Sequence, residues 1–152
     1  GTGELAILVA EKGHRVVGID CSERAITSAR AKAANRAPDI EFQVADAEHL
    51  QRLDVRPRTV LDSGLLHNLD DPGRRGYVAG LERICDAGAV VCVLAVSAEA
   101  GAGWDLTRDG LDRLFPASAW GETNIETAEV LADVDGDEIR LPSFLLTARR
   151  AH

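Results

Sequence analysis

The sequence has one tyrosine and two lysines. Tyr77 is followed four positions on by Leu81, and Lys12 and Lys32 both lie in the first quarter of the chain. A nicotinamide-dependent short-chain reductase needs a Tyr-x-x-x-Lys pair to move a proton alongside the hydride, and that pair cannot be written here. Basic residues are also short, 17 Lys and Arg against 25 Asp and Glu for a net charge of -8, and no basic run collects along any segment. Nucleic acid binding rests on clustered cations, so a nucleic acid partner is not expected. The three cysteines, Cys21, Cys85 and Cys92, show no C-x-x-C spacing and have no histidine at ligand spacing. We therefore expect no metal site, reduced thiols and a cytoplasmic setting. No stretch approaches the roughly 18 apolar residues of a membrane span, and the start does not read as a signal peptide, so no membrane partner is expected. Methionine is absent and the chain opens on Gly1, from which we expect the natural start to lie upstream.

What is present is alternation. Leu5, Leu8 and Val9 recur at helical spacing and Gly13 supplies a stop, which predicts a helix over about 3–12. The β-branched run 15–19 reads as a buried strand. Ser22 can cap a second helix with Ala25, Ile26, Ala29 and Ala33 as its apolar stripe, ending before Pro38 and a strand near 40–44. A strand at 59–61, a helix over about 72–84 with Pro72 in its first turn, and the apolar run 89–96 continue the pattern. After a short helix near 107–115, the segments 124–134 and 141–149 read as a hairpin turned at Asp135-Gly136-Asp137. Buried strands alternating with helices imply an α/β fold in one domain over 1–152, an open and mostly parallel sheet with helices on both faces.

Residue types with chemistry gather at the strand ends. Gly1-Thr2-Gly3-Glu4 runs straight into a helix, where a turn without side chains lets a ligand reach backbone N–H groups and the positive helix end. Asp20 stands at the end of the next strand, where a carboxylate can accept both hydroxyls of a ribose. Asp46, in Ala45-Asp46-Ala47-Glu48, follows the strand after that. Ligands in such sheets lie at the carboxyl edge.

In this order and spacing the chain resembles the class I, Rossmann-like methyltransferases that use S-adenosylmethionine (AdoMet). Gly1-Thr2-Gly3-Glu4 is similar to the tail of their D-x-G-x-G-T-G-E loop, with the acid and first glycine not present. Gly18-Ile19-Asp20 resembles the strand end whose acid holds the ribose, and Ala45-Asp46-Ala47 the one beside the adenine. Leu61-Asp62-Ser63-Gly64-Leu65-Leu66-His67 resembles the strand end that faces the methionine moiety and the acceptor. The terminal hairpin is similar to the family's antiparallel last strands. Cys85-Asp86-Ala87-Gly88-Ala89 departs from the family's usual turn before the fifth strand.

The resemblance implies AdoMet as cofactor, S-adenosyl-L-homocysteine as product and a small-molecule acceptor methylated by in-line displacement. Gly1, Thr2, Gly3, Asp20, Cys21, Asp46, Ala47, Asp62 and Ser63 become the cofactor-binding candidates, and His67 the candidate to take a proton from the acceptor. It also implies that the family's first strand is missing from this chain, so that an upstream segment, a homodimer partner or another strand-donating chain would complete the sheet. Two other readings stay open: an inactive methyltransferase remnant that only binds a partner, and, with less support, the NAD(P)-dependent reductase. Each site candidate has an ordinary alternative. His67 could be a loop histidine, Cys21 and Ser22 could compete with Asp20 for a local cap, and Trp104 and Trp120 could fill a core instead of lining an acceptor pocket. Asp70-Asp71-Pro72 reads as a helix entry, and His14 and His49 as peripheral.

Overall fold

Each apolar stripe and capping residue in the sequence finds its element in the structure. The computed structural model describes residues 1–36, 39–134 and 136–152. The chain divides into two units, Gly1–Leu50 and Gln51–His152.

The first unit holds α1 (Glu4–Glu11), β1 (Val17–Asp20), α2 (Glu23–Ala33) and β2 (Glu41–Val44). Gly13, at φ 88°, ends α1 as expected, and the Ser22 hydroxyl accepts the Ala25 N–H at 3.2 Å to start α2. The two strands pair in parallel, Val17 opposite Glu41 through Asp20 opposite Val44. Ile7, Ile26, Ala29, Ala33 and Phe42 form the core of this unit. The Phe42 ring lies across the backbone of β1, so a Cβ on Gly18 would come within 2.7 Å of it. A glycine is required at 18 by packing, a constraint that one-dimensional pattern does not reveal.

The second unit holds β3 (Thr59–Ser63), α3 (Asp71–Ile84), β4 (Val90–Val96), α4 (Arg108–Leu114), β5 (Trp120–Val134) and β6 (Asp137–Arg150), in the sheet order β3-β4-β6-β5. β3 and β4 are parallel, and β6 runs antiparallel to both of its neighbours. Asp70 caps α3 through the Gly73 N–H at 2.9 Å with Pro72 in the first turn, the helix entry expected from sequence. The hairpin strands are longer than the apolar pattern predicts, beginning at Trp120 and Asp137. Their added residues mix the buried Trp120 and the exposed Ile139 with polar side chains, and cross-strand pairs such as Arg140 with Glu129 and Arg149 with Glu122 tie them in. Pro142 is tolerated because pairing of β6 to β4 stops at Ser143. Asp135 of the expected turn and Pro38 lie outside the described residues, while Gly136 takes the left-handed φ of 90° that such a turn needs.

Among the described residues, β1 pairs only with β2, and β3 only with β4. No helix among them is long and apolar enough to cross a membrane.

Candidate functional site

In the first unit, the ends of β1 and β2 and the start of α1 bring the glycine and acid candidates together. Gly3 opens α1 at φ 85°, a left-handed conformation that disfavours a side chain, and a Cβ there would stand 2.8 Å from that of Ala29. Asp20 accepts the Ser22 N–H at 2.7 Å through Oδ1, while Oδ2 accepts from the amino group of Gly1. Partial burial acts to raise the Asp20 pKa, and the Ser22 N–H on Oδ1 opposes it. The acid therefore points at the glycine turn, and the cap of α2 falls to Ser22. Cys21 is exposed beside it with a free thiol.

Thr2 is drawn away from this cluster, its hydroxyl accepting from Lys32 Nζ at 2.9 Å, so its backbone is what it offers a ligand. Lys32 also meets Glu4 at 3.0 Å. At the end of β2, Asp46 is exposed, with Oδ1 on the Glu48 N–H at 2.9 Å and Oδ2 on His49 Nδ1 at 2.9 Å. His49, read as peripheral, thus orients an acid of the strand end. The Ala45 N–H donates to the Asp20 carbonyl at 3.0 Å, which holds the two acid-bearing turns side by side, with Ala47 following.

In the second unit, the end of β3 differs from its sequence reading. Asp62 is only 6% exposed, and its Oδ1 accepts the Leu65 N–H at 2.8 Å. Its Oδ2 has no hydrogen bond of normal geometry among the described residues, although the buried Tyr77 hydroxyl lies against the carboxyl. Burial raises the Asp62 pKa, and the Leu65, Leu66 and Tyr77 donors oppose this without cancelling it. Tyr77 is pushed well above its ordinary range by burial and then by the Asp62 charge. Asp62 is thus a turn-forming group turned into the protein, and Ser63, exposed beside it, is the outward group of this strand end.

His67 sits half-buried in the short helical turn Leu66–Asn68. Its Nδ1 accepts the Val96 N–H at 3.0 Å, and its ring meets that of Trp104 edge-on, centroids 4.7 Å apart. Burial, with the positive charge of Arg74, lowers its pKa. The neutral ring therefore carries its proton on Nε2. The Nδ1 lone pair that could take a proton, the role expected from sequence, is engaged by the Val96 N–H. Trp104 is the aromatic at this strand end. Trp120 is fully buried against Phe115, 5.4 Å between ring centroids, and belongs to the core instead of an acceptor pocket. Sequence reasoning missed Arg74, 5% exposed, which donates to the Leu66 carbonyl at 3.2 Å and to Asp105 at 2.6 Å. Only its helical position on an otherwise apolar face could have drawn notice. Among the described residues, no group of three or more His, Cys, Asp or Glu stands together as a metal site would require.

The chain matches the family model of a methyltransferase domain over residues 1–88. It is 36% identical over 95 residues to the 2-heptyl-1-hydroxyquinolin-4(1H)-one methyltransferase of Mycobacteroides abscessus, covering 62% of this chain and 42% of that protein. It is 34% identical over 89 residues to an uncharacterized methyltransferase of Schizosaccharomyces pombe, covering 59% and 61%. The matches thus span between about two fifths and three fifths of the length of these curated relatives. Among solved structures, one reported for the conversion of a disulfide bond into a thioacetal group during echinomycin biosynthesis superposes with a TM-score of 0.85 at 32% identity, over 99% of this chain and 72% of that one. A SAM-dependent methyltransferase from Methanosarcina mazei shares the fold with a TM-score of 0.80 at 17% identity, over 99% and 89%. With these likenesses over the strand-end geometry, the chain belongs to the class I, Rossmann-like family of methyltransferases, whose cofactor is AdoMet.

Proposed function

We propose that the protein transfers the sulfonium methyl of AdoMet to a small-molecule acceptor, leaving S-adenosyl-L-homocysteine, and that residues 1–152 serve as a single AdoMet-binding domain. The observation that carries this reading is the cluster in the first unit: the left-handed Gly3 turn entering α1, with the Asp20 carboxylate aimed at it from the end of β1.

The donors and acceptors there fit a nucleoside. Asp20 has the charge and position to accept two ribose hydroxyls, and the turn of Gly1, Thr2 and Gly3 offers backbone groups without obstructing side chains. Cys21 borders the ribose site, and Asp46 with Ala47 borders the base. In the second unit, Ser63 faces outward for the methionine portion while Asp62 shapes its turn, and His67 with Trp104 serves the acceptor. When bound, AdoMet supplies an electrophilic methyl carbon. The protein's work is then to align a nucleophile and keep water away, and orientation alone can lower a barrier by about 7–11 kcal/mol. No covalent protein intermediate is needed. A small-molecule acceptor is supported by the named quinolone methyltransferase relative and by the neighbour from echinomycin biosynthesis. Free thiols at Cys21, Cys85 and Cys92 agree with a cytoplasmic place of action.

Titration calorimetry with AdoMet tests the binding half, and incubation with methyl-labelled AdoMet and a metabolite extract, read by mass spectrometry, tests the transfer. We expect saturable binding and label in a small polar or aromatic metabolite. Absence of AdoMet binding would overturn the reading, and binding without transfer to any metabolite would favour the inactive remnant.

A further inference from the structure

Arg74 is a buried cation on α3, and burial makes it an expensive choice. Taking a guanidinium out of water has a cost that ion pairing recovers only in part, and an apolar side chain of similar volume often stabilises a fold as well or better. The residue must then be read by what its directed bonds hold. Nε donates to the Leu66 carbonyl at 3.2 Å, Nη2 to Asp105 at 2.6 Å, and Nη1 lies 3.6 Å from Asp71. Leu66 immediately precedes His67, and Asp105 immediately follows Trp104. One guanidinium thus joins the two segments whose rings meet edge-on at 4.7 Å. The loop that carries Trp104 is closed at its base by the Ala98 N–H on the Leu106 carbonyl at 2.8 Å, and it includes Ala102 at a positive φ of 53°. Within the loop the Trp104 N–H donates to the Gly101 carbonyl at 3.0 Å, and the ion pair through Asp105 ties the loop to α3.

We infer that Arg74 is a positioning residue: by clamping the Leu66–His67 turn to the Trp104–Asp105 loop, it makes His67 present an Nε2–H donor beside the Trp104 indole, a pair that selects acceptors carrying an oxygen or nitrogen lone pair next to the reacting atom. The second half follows from the Val96 N–H on Nδ1, which leaves Nε2 as the protonated nitrogen of the neutral ring. His67 then orients the acceptor by donating a hydrogen bond and does not remove its proton. The Arg74 charge opposes a second proton on the ring, in keeping with the lowered pKa. The groups facing His67 are the Arg74 guanidinium from α3, the Val96 N–H from β4 and the Trp104 ring from the loop, while Asp105 and Asp71 balance Arg74. This rests on the acceptor role given to His67 above.

The full chain, with and without AdoMet, is the material for the test. Nitrogen-15 NMR of the histidine rings reads the tautomer and titration of His67, and fluorescence reads Trp104 against the buried Trp120. In Arg74→Met we expect a fold that melts as the parent does, AdoMet affinity unchanged, a His67 titration moved up in pH and Trp104 emission shifted to the red. In Asp105→Ala the charge of Arg74 loses its exposed partner, so the His67 titration should move down while the emission shifts the same way. The opposite movement of one histidine in two variants is something a merely structural arginine would not produce. An unchanged His67 titration and tautomer in folded Asp105→Ala overturns the inference, as does a parent ring protonated on Nδ1. If Arg74→Met fails to fold, Asp105→Ala, exposed and outside the core, decides alone. Loss of AdoMet binding in the parent would refute the functional proposal while leaving the NMR outcome to judge the clamp.

Discussion

Two strands of this protein, β1 and β3, end on an aspartate, and the two carboxylates are treated in opposite ways. Asp20 keeps 23% of its side-chain exposure and accepts the Ser22 N–H beside the glycine turn. Asp62 is 6% exposed, closes a turn onto Leu65 and is raised by burial. One carboxylate stays beside the glycine turn, and the other is turned inward, onto the Leu65 N–H through Oδ1 and against Tyr77. The difference teaches that the turn after a parallel strand decides whether an acid at the strand's C-terminal end faces outward or into the protein.

The largest expected effect lies on the Asp20 side of this comparison. Two hydrogen bonds to a charged acceptor are each worth about 1.5–3 kcal/mol, so Asp20→Ala should weaken AdoMet binding at least tenfold in calorimetry, with the thermal melt little changed. Asp62→Ala should do the reverse, leaving the Leu65 N–H without its acceptor and lowering stability by about 1–3 kcal/mol in a denaturant melt, with a smaller change in affinity. If both variants lose affinity and neither loses stability, the two acids are equivalent and the distinction fails.

Gly3→Ala sharpens the same contrast at the turn Asp20 faces. With φ at 85° and Ala29 Cβ at 2.8 Å, the added methyl should lower stability by about 1–3 kcal/mol. Gly1→Ala meets nothing within 4 Å and should change stability by less than about 0.5 kcal/mol.

The smallest effects are in pH dependence, on the Asp62 side of the comparison. The raised pKa of Asp62 means its contribution is full below its unfolded value near 3.8 and is lost as pH rises through the folded value. Asp62→Asn keeps an oxygen for Leu65 and avoids the buried charge, so at neutral pH it should melt at or above the parent, the gap closing on acidification. Melting curves of the parent and Asp62→Asn between pH 3 and pH 7, roughly the span of this titration, would expose a wrong sign.

Much of the fold could be read from local pattern. Gly13, Ser22 and Asp70 mark element ends where the structure has them, because capping is a contest between neighbouring backbone groups and needs no distant partner. Hairpin length was less legible, since polar residues of β5 and β6 are held by partners across the pair. At the strand ends, Asp20 and Asp62 were indistinguishable by type and placement, and Trp104 and Trp120 likewise. Burial separated them, and burial depends on which elements pack over a residue.

By itself, then, the sequence determined the alternation of strands and helices, the glycine turn entering α1, the acids at the strand ends and the membership of a methyltransferase family, all of which rest on short-range periodicity, capping and residue order. Tertiary structure alone decided that Phe42 demands a glycine at 18, that Asp62 turns inward, that Trp120 is core and that Arg74 bridges the segments bearing His67 and Trp104. Each of these depends on contacts between residues far apart in the chain, whose energies are set by desolvation and packing that no local window contains.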